Sequence, residues 1–337
     1  MIKIKSKGSY RGIDSYKKNN KSNKKKKKKS NIRKNNIGKK KSVRNAFFIV
    51  LLSIVVSILG IKNLASKRIM KLSDESITYY INETDKVCED KLQLNWKEIA
   101  AIDLAFNDGE ENLSNGDEVN KIAEMFFKFD KDNNVLEMKT FKEVINEVGL
   151  SNKEKEKAYK YLERIEDNYL NRKLVNDKNK YRFISKIGVE AKTNYKEYGI
   201  LPSITIAQAI LESGWGESTL ATDYNNLFGI KADERWDGKK VKMETKENYN
   251  DIINDYFREY SSYEASVEDH GKFLSENIRY KENGIFDSKT YKGQAQSLEN
   301  AGYATVKNEE GELIYAESLI NVIQKNNLML YDTEVQR

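Results

Sequence analysis

With one cysteine, one histidine and one proline in 337 residues, this sequence is short of side chains on which much protein chemistry depends. A lone Cys88 cannot close a disulfide within the chain. With His270 the single imidazole, no Cys/His zinc cluster can be assembled. The same shortage disfavours a Ser-His-Asp triad, so acid–base work falls to carboxylates, and neither a metal nor a cofactor is expected. Acidic residues are missing from the start of the chain. Residues 1–45 carry 16 Lys and 3 Arg against the single Asp14, a net +18, so the chain's +7 leaves −11 for the other 292 residues. An overall basic balance therefore says little about nucleic acid, because most of the protein is acidic.

Four segments follow from composition and periodicity. Residues 1–45, with Lys24 to Lys29 unbroken, have too little apolar content to fold and read as a disordered cytoplasmic tail. Two uses are open to that tail: attraction to anionic lipid headgroups, at about 1 kcal/mol per basic residue, or a simple topology signal. Residues 46–65 read as a transmembrane signal anchor. The uncharged run Ala46 to Ile61 reaches full length when Lys62 snorkels. Ten Lys/Arg in 26–45 against four in 62–81 keep the N-terminus inside. This predicts a single-pass protein of the plasma membrane with residues 66 onward outside. Residues 66–177 read as a helical accessory or spacer region, with helices over 95–106 and 116–129 and a capping box, Ser151 with Glu154, opening a third. Asp130, Asp132 and Asn134 imitate a calcium loop, but Val135 and Phe141 stand where Gly and a bidentate Glu are needed, so a turn between helices is expected.

Residues 178–332 carry the richer signals. Pro202 suits a first helical turn and Gly214 a helix stop, and Ile204, Ile206, Ala207, Ala209, Ile210 and Leu211 between them mark a buried helix. Thr205, Gln208 and Glu212 form its one polar stripe. Glu212 falls in the last turn, at the negative end of the helix dipole, which disfavours its ionised form and suits a general acid. A solvent-exposed glutamate on a helix edge is the alternative. Downstream, Asp237-Gly238 signals a hairpin, Val241, Met243 and Thr245 alternate after it, and helical patterns return near 264–276, 288–300 and 315–327. The expected fold is mainly α: a lysozyme-like α+β domain whose small β-hairpin lobe faces a helix end, preceded by the anchor and the accessory helices. Asp237, Glu244 and Glu247 are the hairpin carboxylates that could partner Glu212.

The run AQAILESGWGES, then YNNLFGIKA, WDG, TKE, FREYSSYEASVEDHGKFL and AGYAT closely resembles the glucosaminidase domain of glycoside hydrolase family 73 over roughly 180–330. The resemblance implies a peptidoglycan hydrolase that cuts the β-1,4 bond between N-acetylglucosamine and N-acetylmuramic acid. It places Glu212 as catalytic acid and Glu247 as the hairpin carboxylate. It also implies substrate contacts at Asn226, Phe228 and Tyr303; Trp236 and Tyr260 are further candidates for stacking on a sugar face. Where the family commonly continues with Asp-Pro after AGYAT, this chain has Val306-Lys307 and a polar insertion, Asn308 to Leu313. The expected partner is the peptidoglycan glycan strand. Muramidase specificity on the same fold, or a weakly active wall-binding scaffold, are the alternatives.

Overall fold

In the computed structural model two helices turn almost no face to solvent, and the other elements are packed around them. The structure describes residues 72–337 apart from residue 133 and residues 248–250; the side chains of 169–176, 245–247 and 251–253 are also outside the description. The basic tail and the anchor at 46–65 lie outside the described residues. The predicted plasma-membrane localisation is corrected. Among the described residues no helix is long and apolar enough to cross a membrane. The 25-residue helix Asn152–Asn176 is crowded with charge.

The first buried helix is in the N-terminal half. In chain order α1 (Asp74–Cys88), α2 (Trp96–Phe106) and α3 (Gly116–Glu124) lead to a small ribbon, β1 (Phe127–Phe129) and β2 (Val135–Met138), then α4 (Phe141–Glu147) and α5 (Asn152–Asn176). Every residue of α2 from Trp96 to Ala105 is buried, because α1, α3 and α5 pack around it. Even its Asp103 is enclosed, accepting a hydrogen bond from the Tyr80 hydroxyl at 2.6 Å. Local signals were good guides here. Asn95 caps α2, and Ser151 and Glu154 exchange backbone hydrogen bonds at the start of α5. The helix expected over 116–129 instead stops at Glu124, and Phe127–Phe129 pairs with β2. Asp130 accepts the Asp132 and Asn134 amides, each at 2.8 Å, so this turn joins strands rather than helices.

The second buried helix is α7 (Pro202–Ser213), preceded by α6 (Lys178–Tyr198) and followed by α8 (Thr219–Tyr224). Residues Pro202 to Ile210 of α7 are all buried, enclosed by α6 and by α11 (Tyr291–Asn300), α12 (Tyr315–Asn326) and α13 (Met329–Gln336). Between α8 and α11 the chain forms the antiparallel pair β3 (Lys240–Glu247) and β4 (Asp251–Arg258), then α9 (Tyr263–Glu276) and α10 (Ile278–Glu282). Residue 231 also bridges to Phe257, so β4 has a short neighbour on its other side. The strands pair from Lys240 with Arg258 to Glu247 with Asp251, so Asp237-Gly238 precedes the hairpin and is not its turn. Gly238 is needed for a different reason: a Cβ there would lie 2.5 Å from the Trp236 ring.

Residues 70–337 form one compact unit, and buried polar bonds link its halves. Asp85 of α1 accepts from the Tyr291 hydroxyl and, at 3.2 Å, from the Gln324 amide. The Trp96 indole N–H donates to Asn327 at 2.8 Å. Only Asp177 separates α5 from α6, where the sequence suggested a domain boundary.

His270 of α9 is fully buried, stacked on Phe228 at 3.9 Å, and burial pushes its pKa down to about 3. The unfolded chain takes up a proton below about pH 6.5 that the native imidazole refuses, so this histidine's contribution to stability is complete above that pH and declines below it. The slope is about 1.4 kcal/mol per pH unit. Replacing His270 by Phe keeps a ring against Phe228 and should reduce the stability lost between pH 7 and pH 4.5 by about 3 kcal/mol. Urea midpoints of both proteins at the two pH values measure it, and parallel losses refute it.

Candidate active site

Helix α7 presents Glu212 at its C-terminal end because the backbone there is forced to turn away. Gly214, Trp215 and Gly216 all have positive φ, at 57°, 66° and 79°, and Gly214 closes the helix in the left-handed conformation. Ser213 secures the turn: its hydroxyl donates to the Ala209 carbonyl at 2.5 Å and accepts the Gly216 amide at 2.7 Å. Trp215 then packs edge-on against Phe183 of α6. A Cβ at Gly216 would meet the Phe183 ring at 2.7 Å. The glutamate therefore stands in the last turn of a buried rod whose exit is clamped.

The Glu212 side chain reaches solvent, yet its carboxyl is closely surrounded. Desolvation raises its pKa above the usual carboxylate range, and a hydrogen bond from Tyr315 partly offsets that rise. The Tyr315 hydroxyl, at the start of α12, donates to Glu212 Oε1 at 2.9 Å and accepts from Gln208 Nε2 at 3.0 Å. A hydroxyl has one proton. With the Gln208 amide occupying its oxygen, that proton is directed at Oε1, and a proton carried by Glu212 belongs on Oε2. Tyr303 stacks on Tyr315 with centroids 5.4 Å apart. Burial raises the Tyr303 phenol well above its ordinary pKa, and the nearby Glu212 carboxylate adds to the effect.

Of the residues expected at the substrate, Tyr303 is half-buried beside Tyr315 and Glu212. Trp236 is half-buried at the foot of the hairpin, edge-on to Tyr260 at 5.7 Å and covered on one face by the Arg258 guanidinium at 4.6 Å. The other three serve the framework. Both Asn226 amide hydrogens go to backbone carbonyls, Ile230 at 3.0 Å and Arg258 at 2.8 Å, leaving none for a sugar. Phe228 is buried under His270. Tyr260 is buried, with its hydroxyl donated to Asp269 at 2.5 Å; the same Asp269 takes Arg258 at 2.8 Å. These bonds fasten the base of the hairpin to α9. Glu247 pairs through its backbone with Asp251 at the far end of the ribbon, and its side chain is outside the description. Asp237 and Glu244 are exposed. Among the described residues no group of acidic, His or Cys side chains is arranged to hold a metal.

Two members of the site were not singled out from sequence. Gln208 was visible in the polar stripe but lacked an assigned partner. Tyr315 lies 103 residues beyond Glu212, just after the insertion, which folds into a tight turn bridged between Lys307 and Leu313. That turn delivers Tyr315 to the carboxyl.

Residues 188–328 match the family model for glucosaminidase, described as mannosyl-glycoprotein endo-beta-N-acetylglucosaminidase. The chain is 37% identical over 156 residues to the exo-glucosaminidase LytG of Bacillus subtilis, covering 44% of this chain and 52% of that one. It is 35% identical over 149 residues to the peptidoglycan hydrolase FlgJ of Vibrio parahaemolyticus, covering 42% and 46%. The chain thus spans about half the length of these curated relatives. Among solved structures, the catalytic domain of the autolysin Auto from Listeria monocytogenes is 35% identical, with 45% of this chain and 87% of that one covered and a TM-score of 0.39.

Because Tyr315 holds the Glu212 pKa down, Tyr315→Phe should move the Glu212 carboxyl titration to higher pH. A carbon-13 NMR titration of that carboxyl follows it directly; an unchanged or lower midpoint contradicts the arrangement.

Proposed function

We infer, for a chain that belongs through residues 188–328 to the glucosaminidase family of glycoside hydrolases, that it cuts peptidoglycan at the β-1,4 bond between N-acetylglucosamine and N-acetylmuramic acid, with Glu212 as general acid. One observation carries the reading: a carboxyl at the end of a buried helix, its pKa raised by desolvation and one of its oxygens fixed by Tyr315. A carboxylic acid whose pKa is raised keeps its proton to higher pH than an exposed carboxyl does, which suits it to donate that proton to a leaving glycosidic oxygen. The directed Tyr315 proton leaves Oε2 as the donating atom. As Oε2 loses its proton, the bond to Oε1 becomes charge-assisted and strengthens when negative charge appears.

The second carboxylate in this proposal is Glu247. It either activates water or steadies positive charge while the substrate's acetamido group attacks the sugar carbon. The order of bonds is the same at the leaving group: Oε2 gives its proton, the C–O bond breaks, and either water or the acetamido oxygen forms the new bond. Similarity to FlgJ supports a peptidoglycan substrate and similarity to LytG a glucosaminidase activity; the exo or endo mode is read from product length.

Glu212→Gln removes the proton at nearly constant volume and should lower the turnover of purified peptidoglycan by ~10²–10⁴-fold while circular dichroism is unchanged. Turnover above about a tenth of wild type defeats the assignment. In the wild-type digest the new reducing end should be N-acetylglucosamine; N-acetylmuramic acid there would mean muramidase specificity.

Glu247→Gln separates the two roles of the hairpin carboxylate. A general base predicts a loss of ~10²-fold or more with partial rescue by azide and inverted configuration. An acetamido nucleophile predicts no azide rescue and no cleavage of substrates lacking the N-acetyl group. Wild-type behaviour of the variant would remove Glu247 from the mechanism and leave Glu212 in place.

A further inference from the structure

A buried helix exposes unpaired amides at its N-terminus unless something caps them, and α7 has no cap of its own. Leu201 stands at its N-cap and makes no side-chain bond, while Pro202 has no amide hydrogen. The first amide in need is that of Ser203. It donates to Asp332 Oδ1 at 2.8 Å, and the Ser203 hydroxyl donates to Asp332 Oδ2 at 2.5 Å. Asp332 is wholly buried and belongs to α13, 129 residues further on. It also lies outside 188–328, the residues that match the glucosaminidase family.

Helix α13 is gripped in turn by the N-terminal half. The Trp96 indole holds Asn327 just before α13. The Gln93 amide donates to Gln336 at 2.8 Å. Arg337 makes a two-pronged contact with Glu98, at 2.8 and 2.6 Å. Four hydrogen bonds to one short stretch, residues 93–98, thus fix both ends of the segment that carries Asp332. Beyond 328 that segment and residues 93–98 have no counterpart in the matched family region.

We propose that Asp332 is a positioning residue for the catalytic acid, and that residues 72–176 serve the reaction by holding the 327–337 segment so that Asp332 sets the axial position of α7. The proposal rests on Glu212 as the general acid. Ser203 and Glu212 stand nine residues apart on one helix, about 14 Å along its axis, and a helix packed on all sides transmits a displacement of one end to the other. At the far end the adjustment that matters is the 2.9 Å bond from Tyr315, which a slide of about 1 Å would break. Misplacements of that size cost up to ~10²-fold in rate. Burial raises the Asp332 carboxyl to about 8, with the bonds from Ser203 working against the shift. Near neutral pH the cap therefore acts largely as a neutral group, in which the Oδ2 bond reverses and the carboxyl proton is donated to the Ser203 hydroxyl, and an asparagine can stand in for it: Oδ1 still takes the Ser203 amide, and Nδ2 replaces the Oδ2–H donor.

The test uses the full chain and the pH dependence of peptidoglycan turnover. Asp332→Ala should lower kcat about tenfold with KM within about twofold, and should move the alkaline limb of the profile upward, as Tyr315→Phe does. Combining the two substitutions should give no further displacement, because the same bond is lost in both. Asp332→Asn should restore the limb. A folded Asp332→Ala protein with a wild-type profile, or a displacement that adds to that of Tyr315→Phe, overturns the proposal. If Asp332→Ala does not fold, Trp96→Phe and Arg337→Met loosen the grip from the far side. An upward displacement in either supports the proposal, and unaltered profiles in both overturn it. Glu212→Gln run alongside keeps the outcomes apart: an active Glu212→Gln defeats the catalytic reading itself, whereas an inactive one with a normal Asp332→Ala defeats only the positioning role.

Discussion

A helix enclosed by protein on nearly every side must have both ends satisfied by protein as well, and that constraint organises this molecule. At the C-terminal end of α7 the solution is local: Ser213, Gly214 and Gly216 turn the chain within four residues and leave Glu212 on the rim. At the N-terminal end the solution is distant. Asp332 takes Ser203, and the Gln294 side chain takes the Leu201 amide at 2.9 Å. An unsatisfied amide at such depth costs about 1–3 kcal/mol, so α11 and α13 are bound to α7 by more than apolar contact.

The acid itself depends on a balance between enclosure and contact. Desolvation alone pushes the Glu212 carboxyl toward its neutral form, and the Tyr315 bond draws it part of the way back. Gln208 decides the direction of that bond, and Tyr303 covers the ring that makes it. Each member fixes one degree of freedom of the next, down to a single oxygen left for chemistry.

What was legible in the sequence was what neighbours in sequence determine. Pro202, Gly214 and the stripe of Thr205, Gln208 and Glu212 mark the helix and its functional end through backbone rules that act within a few residues. The capping pair Ser151 and Glu154 was readable for the same reason. The hairpin was recognised but its turn misplaced, since Asp237-Gly238 carries a turn signal while Gly238 is in fact reserved for the Trp236 ring. The ribbon at Phe127–Phe129 was too short for its alternation to outweigh the helical pattern before it. Tyr315 and Asp332 could not have been read at all. Nothing in a tyrosine at the start of a helix, or an aspartate in the middle of one, announces a partner more than a hundred residues away. Asn226 and Phe228, matched by motif, and Tyr260, offered as a stacking aromatic, show the converse: such signals identified positions without distinguishing framework from surface.

The long reach from Ser203 to Asp332 also has a meaning in time. Chains emerge from their N-terminus at about 5–20 residues per second, so the 129 residues between the two correspond to roughly 6–26 s of synthesis. For that interval the helix bearing Glu212 exists without its cap, and the phenol that orders its carboxyl has been made for only the last moments of it. A nascent chain therefore carries Glu212, the proposed general acid, well before it can hold it in register. On the proposed role of Asp332, competence arrives late and all at once, when the 327–337 segment docks between the two buried helices.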